Sequence, residues 1–327
     1  MSFEEIYKEL SRIHRSKLIK LRNKTIFKLI VAFVIVVALS FASIHFLKDE
    51  LFTLMIQFFL IGCFVVMIIA SKQPYVEYFR KNVAVAFIAL VNESLSYSIV
   101  PQDKDAVLEM YRTPLFDGGL RGATMNAIDT FGGSPGMSNH IVGQIEGRAF
   151  ELCCLYMYSA HQKTTFKGMF VKMQVSKSLQ GYVKISRKIK GLTRFDEWQH
   201  FISEKERTKV DVSEFDKDFY VGSNDPITPF RYLTHDVMEL ILNYKNELID
   251  VQTRFNRNLL PQNPKRISLD IYWRGDEVFM RLGNKKMFEP TLRNPMCKDS
   301  LACCVSTLAF ANEFNRIITK TIESTSV

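Results

Sequence analysis

Residues 29–70, LIVAFVIVVALSFASIHFLKDELFTLMIQFFLIGCFVVMIIA, hold two apolar runs, Leu29 to Leu47 and Leu51 to Ala70, parted only by Lys48, Asp49 and Glu50. Neither run contains Asp, Glu, Lys or Arg. Each approaches the roughly 20 residues that carry an α-helix across a hydrocarbon layer of about 30 Å, where a helix satisfies its own backbone polar groups. The reading is a membrane-spanning helical hairpin. A secretory signal peptide has a shorter apolar core and a small-residue cleavage site, which this stretch lacks. Buried helices of a soluble domain seldom run so far without a charge.

The flanks orient the hairpin, because Lys and Arg near membrane helix ends stay on the cytoplasmic side. Lys17, Lys20, Arg22, Lys24 and Lys28 precede the first run, and Lys72, Arg80 and Lys81 follow the second. Both termini are therefore expected in the cytoplasm. Ahead of the membrane, Phe3, Ile6, Leu10, Ile13 and Leu21 recur at helical spacing, with bases from Arg12 to Lys24 opposite them. Residues 1–28 thus read as a basic amphipathic helix. Such a helix either lies on the anionic leaflet, each base adding about 1 kcal/mol of attraction, or packs on the protein or on a second copy.

Composition agrees with a membrane setting. About 250 of the 327 residues remain beyond the hairpin and its leader, enough for a sizeable core. The net charge of +9 and pI near 9.1 suit an anionic surface or nucleic acid, and the anchor favours the former. Of six cysteines, Cys63 lies in the second run, Cys153–Cys154 and Cys303–Cys304 are adjacent pairs, and Cys297 stands alone. That is no disulfide framework. Nor is there a Cys-x-x-Cys pair, and His140, His161, His200 and His235 lack ligand spacing, so no metal or other cofactor is implied. The thiols read as small buried hydrophobes.

After the second run, Pro74 is expected to interrupt the helix, and 71–97 to form a juxtamembrane helix with Phe79, Val83, Phe87, Leu90 and Val91 on one side. Region 98–149 then turns glycine-rich. Gly118, Gly119, Gly122, Gly132, Gly133, Gly136, Gly143 and Gly147 crowd into it, which predicts a mobile loop, or a flexible segment closing over a partner, because ordering glycine costs much entropy. A phosphate-binding loop is disfavoured, since no Gly-Lys-Ser/Thr ending or Gly-x-Gly-x-x-Gly occurs.

From 150 to 327 the period changes. Met169, Val171, Met173 and Val175 alternate with Phe170, Lys172, Gln174 and Ser176, and Val183 with Ile185 repeats the pattern after Gly181, predicting a hairpin. A second is expected from Ile267, Leu269, Ile271 and Trp273, a turn at Gly275–Asp276, and Val278, Met280 and Leu282. Thr234 is placed to cap a helix carrying Val237, Leu240, Ile241 and Tyr244, and a last helix from about Asp299 to Ile322 presents Leu301, Val305, Leu308, Ala309 and Phe314. The expected class is α+β: a two-helix transmembrane hairpin, then a cytoplasmic domain with a largely antiparallel sheet and packed helices.

Several motifs recur together: Ile145-Glu146-Gly147, Phe166-Lys167-Gly168-Met169-Phe170, Ser213 to Val221 (SEFDKDFYV), and Asp225 followed by Arg231-Tyr232-Leu233-Thr234. In combination they resemble a bacterial membrane-anchored family catalogued only as a domain of unknown function. The resemblance runs from the first span to the last helix, and the glycine-rich connection is longer here than in the family's pattern. It implies a two-span anchor in the inner membrane with one soluble domain, and brings no activity with it.

Two residue sets are candidates for a site. Glu214, Asp225 and Arg231 either pin a helix to the sheet as ion pairs or converge in a pocket as acid, base or anion clamp. Between Glu151 and Asp196 no acid occurs among nine bases, and alternation puts Lys172, Lys184, Lys188 and Lys190 on one face. That face is either ordinary solvated surface or a patch turned toward anionic lipid headgroups. Nucleic acid ranks third, for want of a stacking platform. The expectation is a membrane-anchored scaffold or recognition module contacting the bilayer and a protein partner or second copy. The enzyme alternative, a tethered hydrolase or transferase, requires a cleft joining Glu214, Asp225, Arg231 or Cys303 with a histidine.

Overall fold

In the computed structural model, the basic leader and the first apolar run are a single helix. The structure describes residues 2–46, 50–100, 136–158, 164–188, 202–255, 268–283, 287, 288, 290–292 and 294–325. They divide into two compact units, Met1–Phe87 with Phe288–Lys298, and Ile88–Met287 with Asp299–Val327.

In the first unit, α1 (Phe3–Phe46) continues for 44 residues, a rod about 66 Å long at the usual rise. It runs antiparallel to α2 (Glu50–Tyr78). The pairing extends past the apolar stretch: Phe33 meets Phe64 at 6.0 Å between ring centroids, Thr25 Oγ1 donates to the Ser71 carbonyl at 3.0 Å, and His14 Nδ1 lies 3.1 Å from the Tyr78 hydroxyl. Ile6, Leu10 and Leu18 are buried, while Ile13 is exposed. Lys298 bonds Glu4 at 2.7 Å and stands 4.8 Å from the Tyr7 ring. These contacts pack one side of the leader against the rest of its unit, and the leader continues without a break into the first apolar run.

Pro74 does not interrupt the second helix. It sits exposed inside α2, where its missing N–H frees one carbonyl that such helices satisfy by local adjustment. The irregularity comes a turn later, as a π-helical segment, Phe79–Ala84, in which the Asn82 amide donates to the Tyr78 carbonyl at 3.0 Å. α3 (Val85–Val91) follows. The helix expected to reach residue 97 ends there, because the Asn92 side chain accepts the Ser94 N–H at 2.9 Å and so competes with the helical ladder.

The second unit is built on a seven-stranded sheet among the described residues, antiparallel at every pairing. Its strands are β1 (Leu95–Ser98), β2 (Gly136–Ile145), β3 (Arg148–Tyr158), β4 (Thr164–Arg187), β5 (Arg207–Thr208), β6 (Phe219–Ser223) and β7 (Leu269–Gly283). Its helices are α4 (Ser213–Asp218), α5 (Thr228–Tyr232) and α6 (His235–Phe255), with α7 (Lys298–Thr325) closing the chain. The mobile loop expected across the glycine-rich region lies outside the described residues from 101 to 135. Beyond it, Gly136 to Ile145 are sheet, paired with β1 and β3.

Neither predicted hairpin forms. β4 and β7 are each one long strand, paired with each other along almost their whole length, from Gly168 opposite Gly283 to Ser186 opposite Asp270. Gly181 (φ +90°) and Gly275 (φ +59°) do carry left-handed backbone, as the sequence suggested. Instead of reversing the chain, they lie at a shared bend where the register slips between Gln174 and Tyr182. A bulge of this kind lets a long strand twist while its neighbour follows.

Alternation sorts the side chains as expected. Met169, Val171, Met173, Val183 and Ile185 are buried on one face opposite Leu282, Met280, Val278, Trp273 and Ile271. The helices cover that face. Trp273 meets Phe314 of α7 edge-on at 5.6 Å and Tyr232 of α5 at 5.3 Å, while Tyr244 of α6 stacks on Phe310 of α7 at 4.4 Å. Thr234 caps α6 through the Val237 N–H at 3.4 Å. Leu301, Leu308 and Phe314 are buried as read, whereas Ala309 is exposed. Cys153, Cys154, Cys297, Cys303 and Cys304 are buried, and burial raises the Cys153 and Cys304 pKa values further above neutrality.

Candidate functional site

The other face of the sheet carries the candidate lysines. Lys172 lies opposite Phe279 and Lys184 opposite Tyr272, so both stand on the face away from the apolar core, as alternation required. Lys188 follows β4, and Lys190 is outside the described residues. Each described lysine is engaged by the protein itself. Lys172 Nζ bonds Glu277 at 2.7 Å and stands 5.7 Å from the Phe279 ring. Lys184 Nζ bonds Glu206 at 2.9 Å and stands 5.1 Å from the Tyr182 ring. Lys188 donates to the Asp216 carbonyl and lies 4.5 Å from the Tyr220 ring, which Arg207 also approaches at 4.5 Å.

This face is an ionic and aromatic network, with its acids brought from Glu206, Asp270 and Glu277, outside the acid-free stretch. Tyr182 donates to Glu206 at 2.5 Å, and the Ser203 N–H and hydroxyl donate to the same carboxylate at 2.9 and 2.8 Å. Burial would raise the Glu206 pKa, but the hydrogen bonds from Tyr182, Lys184 and Ser203 outweigh it and hold the carboxyl at about 2. Burial, then the bond to Glu206, pushes the Tyr182 phenol up to about 12. Deeper in the face, Arg281 bonds the buried Asp270 at 2.8 and 3.0 Å, and the Ser186 hydroxyl completes that carboxylate at 2.6 Å. His140 Nε2 lies 2.6 Å from Glu151. Single-strand alternation identified the bases but not these partners, the farthest of which, Glu277, sits 105 residues from Lys172 in the chain.

The second candidate set does not line one pocket. Glu214 is exposed on α4, where it lines an open groove of about 670 Å³ with Ser213, Lys217, His235, Asn243 and Asn246. Asp225 instead closes the turn ahead of α5, accepting the Ile227 N–H at 3.1 Å and the Thr228 hydroxyl at 3.0 Å. These bonds hold its carboxyl below the ordinary range. Arg231 is exposed, and among the described residues it forms no ion pair with either carboxylate. Cys303 is buried with its Sγ 3.8 Å from Met169 Sδ. The groove thus joins Glu214 with His235 and excludes Asp225, Arg231 and Cys303. Among the described residues, no group of three or more His, Cys, Asp or Glu side chains is placed to hold a metal ion.

In the first unit, the notable surface is the hairpin. α1 and α2 are both long and apolar enough to cross a membrane, and their large side chains point outward. Phe41, Phe46, Leu51, Phe58 and Phe59 are 68–79% exposed, part of an apolar band that solvated proteins do not leave uncovered. Lys20, Lys24 and Lys28 on α1 and Lys72 on α2 are exposed below the end of this band.

No functionally curated protein matches the chain. Among solved structures, the mycobacterial trehalose monomycolate transport factor A, TtfA, aligns with a TM-score of 0.36 at 9% identity, over 73% of this chain and 97% of that one. From β4 into α7, residues 164–322, the chain matches the family model described as protein of unknown function (DUF3137).

Proposed function

We propose that this chain is a two-pass protein of the bacterial inner membrane, anchored by the α1–α2 hairpin with both termini in the cytoplasm, whose sheet domain acts as a scaffold or recognition module at that surface. The carrying observation is the outward-facing apolar band. In the most hydrophobic window of α2 no residue is buried, and in that of α1 only 11% are, whereas a core helix of a soluble protein buries such a window. Lipid is the solvent that suits it. The cations at the open end of the hairpin and their absence from the runs themselves support the orientation.

The module reading is supported by what the sheet domain does with its polar groups. Lys172, Lys184 and Arg281 are each neutralised by an acid on the same face, and the described cysteines of the domain are buried, so the domain resembles a rigid platform more than a reactive centre. The anchor and its orientation are tested together by cysteine labelling in intact cells. A Glu50→Cys variant is expected to react with a membrane-impermeant maleimide, a Ser2→Cys variant only after permeabilisation, and both proteins to stay with membranes through an alkaline wash. Release by the wash, or labelling of position 2 in intact cells, would overturn the reading.

A further inference from the structure

We infer that Lys20, Lys24, Lys28 and Lys72 form a collar that recognises anionic phospholipid headgroups, so that the anchor selects the lipids around it. The inference rests on the proposed membrane anchorage and adds a ligand class and residues to it.

Three observations converge on the collar. First, its charge is unspent. No acidic residue occurs between Glu9 and Asp49, or between Glu50 and Glu77, and none of the four lysines has an ion-pair partner among the described residues. This sets them apart from Lys172, Lys184 and Lys298, which are paired with Glu277, Glu206 and Glu4. Second, the four are gathered. Lys20, Lys24 and Lys28 recur every four residues along one continuous helix, hence along one slowly turning side. The bond from Thr25 Oγ1 to the Ser71 carbonyl brings Lys72 level with Lys24. Third, their height is right. If the hydrocarbon begins at Leu29, Lys28 and Lys24 stand about 2 and 8 Å outside it and Lys20 about 14 Å. The headgroup layer is about 5–8 Å deep and its field reaches a further 8–10 Å. Lys17, about 18 Å out, is near the limit of that field, and its Nζ stands 4.7 Å from the Tyr78 ring.

The continuity of α1 gives the collar its specificity. A leader lying flat on the leaflet would engage every base from Arg12 onward, whereas an upright one presents only the exposed bases within reach of the surface; Arg22, about 10 Å out, is half-buried with its guanidinium on Asn23 Oδ1 at 3.1 and 3.3 Å. The occupant that matches this geometry is a ring of phosphodiester headgroups carrying net negative charge, their acyl chains running along the exposed apolar band directly above. A soluble phosphate would gain nothing from that band.

The experiment uses the full chain reconstituted in phosphatidylcholine vesicles containing trace spin-labelled phosphatidylglycerol or spin-labelled phosphatidylcholine. Vesicle flotation first reports incorporation, then the motionally restricted spectral component reports lipid association. Wild type is expected to hold the phosphatidylglycerol label at least about threefold more strongly at low salt, and to lose most of that preference at high salt. Replacing the four lysines with Gln should bring the ratio near one, replacing them with Arg should preserve it, and Lys17→Gln or Lys172→Gln should leave most of it. Protein that floats with the vesicles yet shows no preference, or a Gln variant that keeps it, overturns the collar and spares the anchor. Protein that fails to float overturns the anchor, and the collar with it.

Discussion

Glu206 shows how much a single residue's chemistry depends on its neighbours. In the sequence it is one acid in the run Ser203-Glu204-Lys205-Glu206, yet it accepts from Tyr182, Lys184 and Ser203 and its pKa falls to about 2. A carboxyl whose folded pKa lies below its ordinary value of about 4.3 stabilises the fold above that value, and loses its contribution as pH falls toward 2. Tyr182, pushed up to about 12, acts in the opposite sense, stabilising below about 10 and losing the effect as pH rises through 12. Glu206→Gln should therefore cost about 1–2 kcal/mol at pH 7, read as a lowered unfolding temperature of the full chain in detergent. The gap from wild type should narrow by pH 3. A gap of constant size would mean that the charge of Glu206 plays no part.

At the scale of elements, the bend shared by β4 and β7 is the feature that most changes the architecture. Gly181 adopts φ +90°, and a Cβ there would lie 2.5 Å from Asn224 Oδ1, the atom that accepts the Tyr182 N–H at 3.1 Å. Gly147 also has a positive φ, of +72°, but a Cβ there would meet nothing within 4 Å. Gly181→Ala should thus cost about 2–3 kcal/mol, combining backbone strain with a displaced hydrogen bond, and Gly147→Ala only about 1. Equal costs in chemical unfolding of the two variants would remove the bulge from the list of features that hold the sheet. The same bend explains why two hairpins were expected. Gly181 and Gly275–Asp276 have the composition of turns, and glycine marks a left-handed backbone equally well in a turn and in a bulge. Only the pairing of Leu179 with Gly275, set by contacts nearly 100 residues apart in the chain, decides between them.

At the scale of the whole molecule, charge is handled in two ways. On the outer face of the sheet Lys172, Lys184 and the buried Arg281 are paired with acids, while on the hairpin Lys20, Lys24, Lys28 and Lys72 have no ion-pair partner among the described residues and the apolar side chains are exposed. If the hairpin is lipid-embedded, Phe58→Arg, a substitution at a 68% exposed position within the second apolar run, should cost about 2.5–3.5 kcal/mol of insertion free energy. The fraction retained by membranes after an alkaline wash should fall, and unchanged retention would place Phe58 outside the hydrocarbon. The two long apolar helices, strand alternation, α6 with its Thr234 cap and the burial of every described thiol but Cys63 were legible in the sequence alone, because each follows from composition or from a period of 2.0 or 3.6 read within a few residues. The tertiary structure alone decided that the leader and first apolar run are one helix, that two expected hairpins are two long paired strands, and that Glu214 lines a groove without Asp225 or Arg231. It also assigned Lys172 and Lys184 their acids and left the collar lysines with none, since an ionic partner is chosen by proximity in space and one-dimensional periodicity carries no information about that distance.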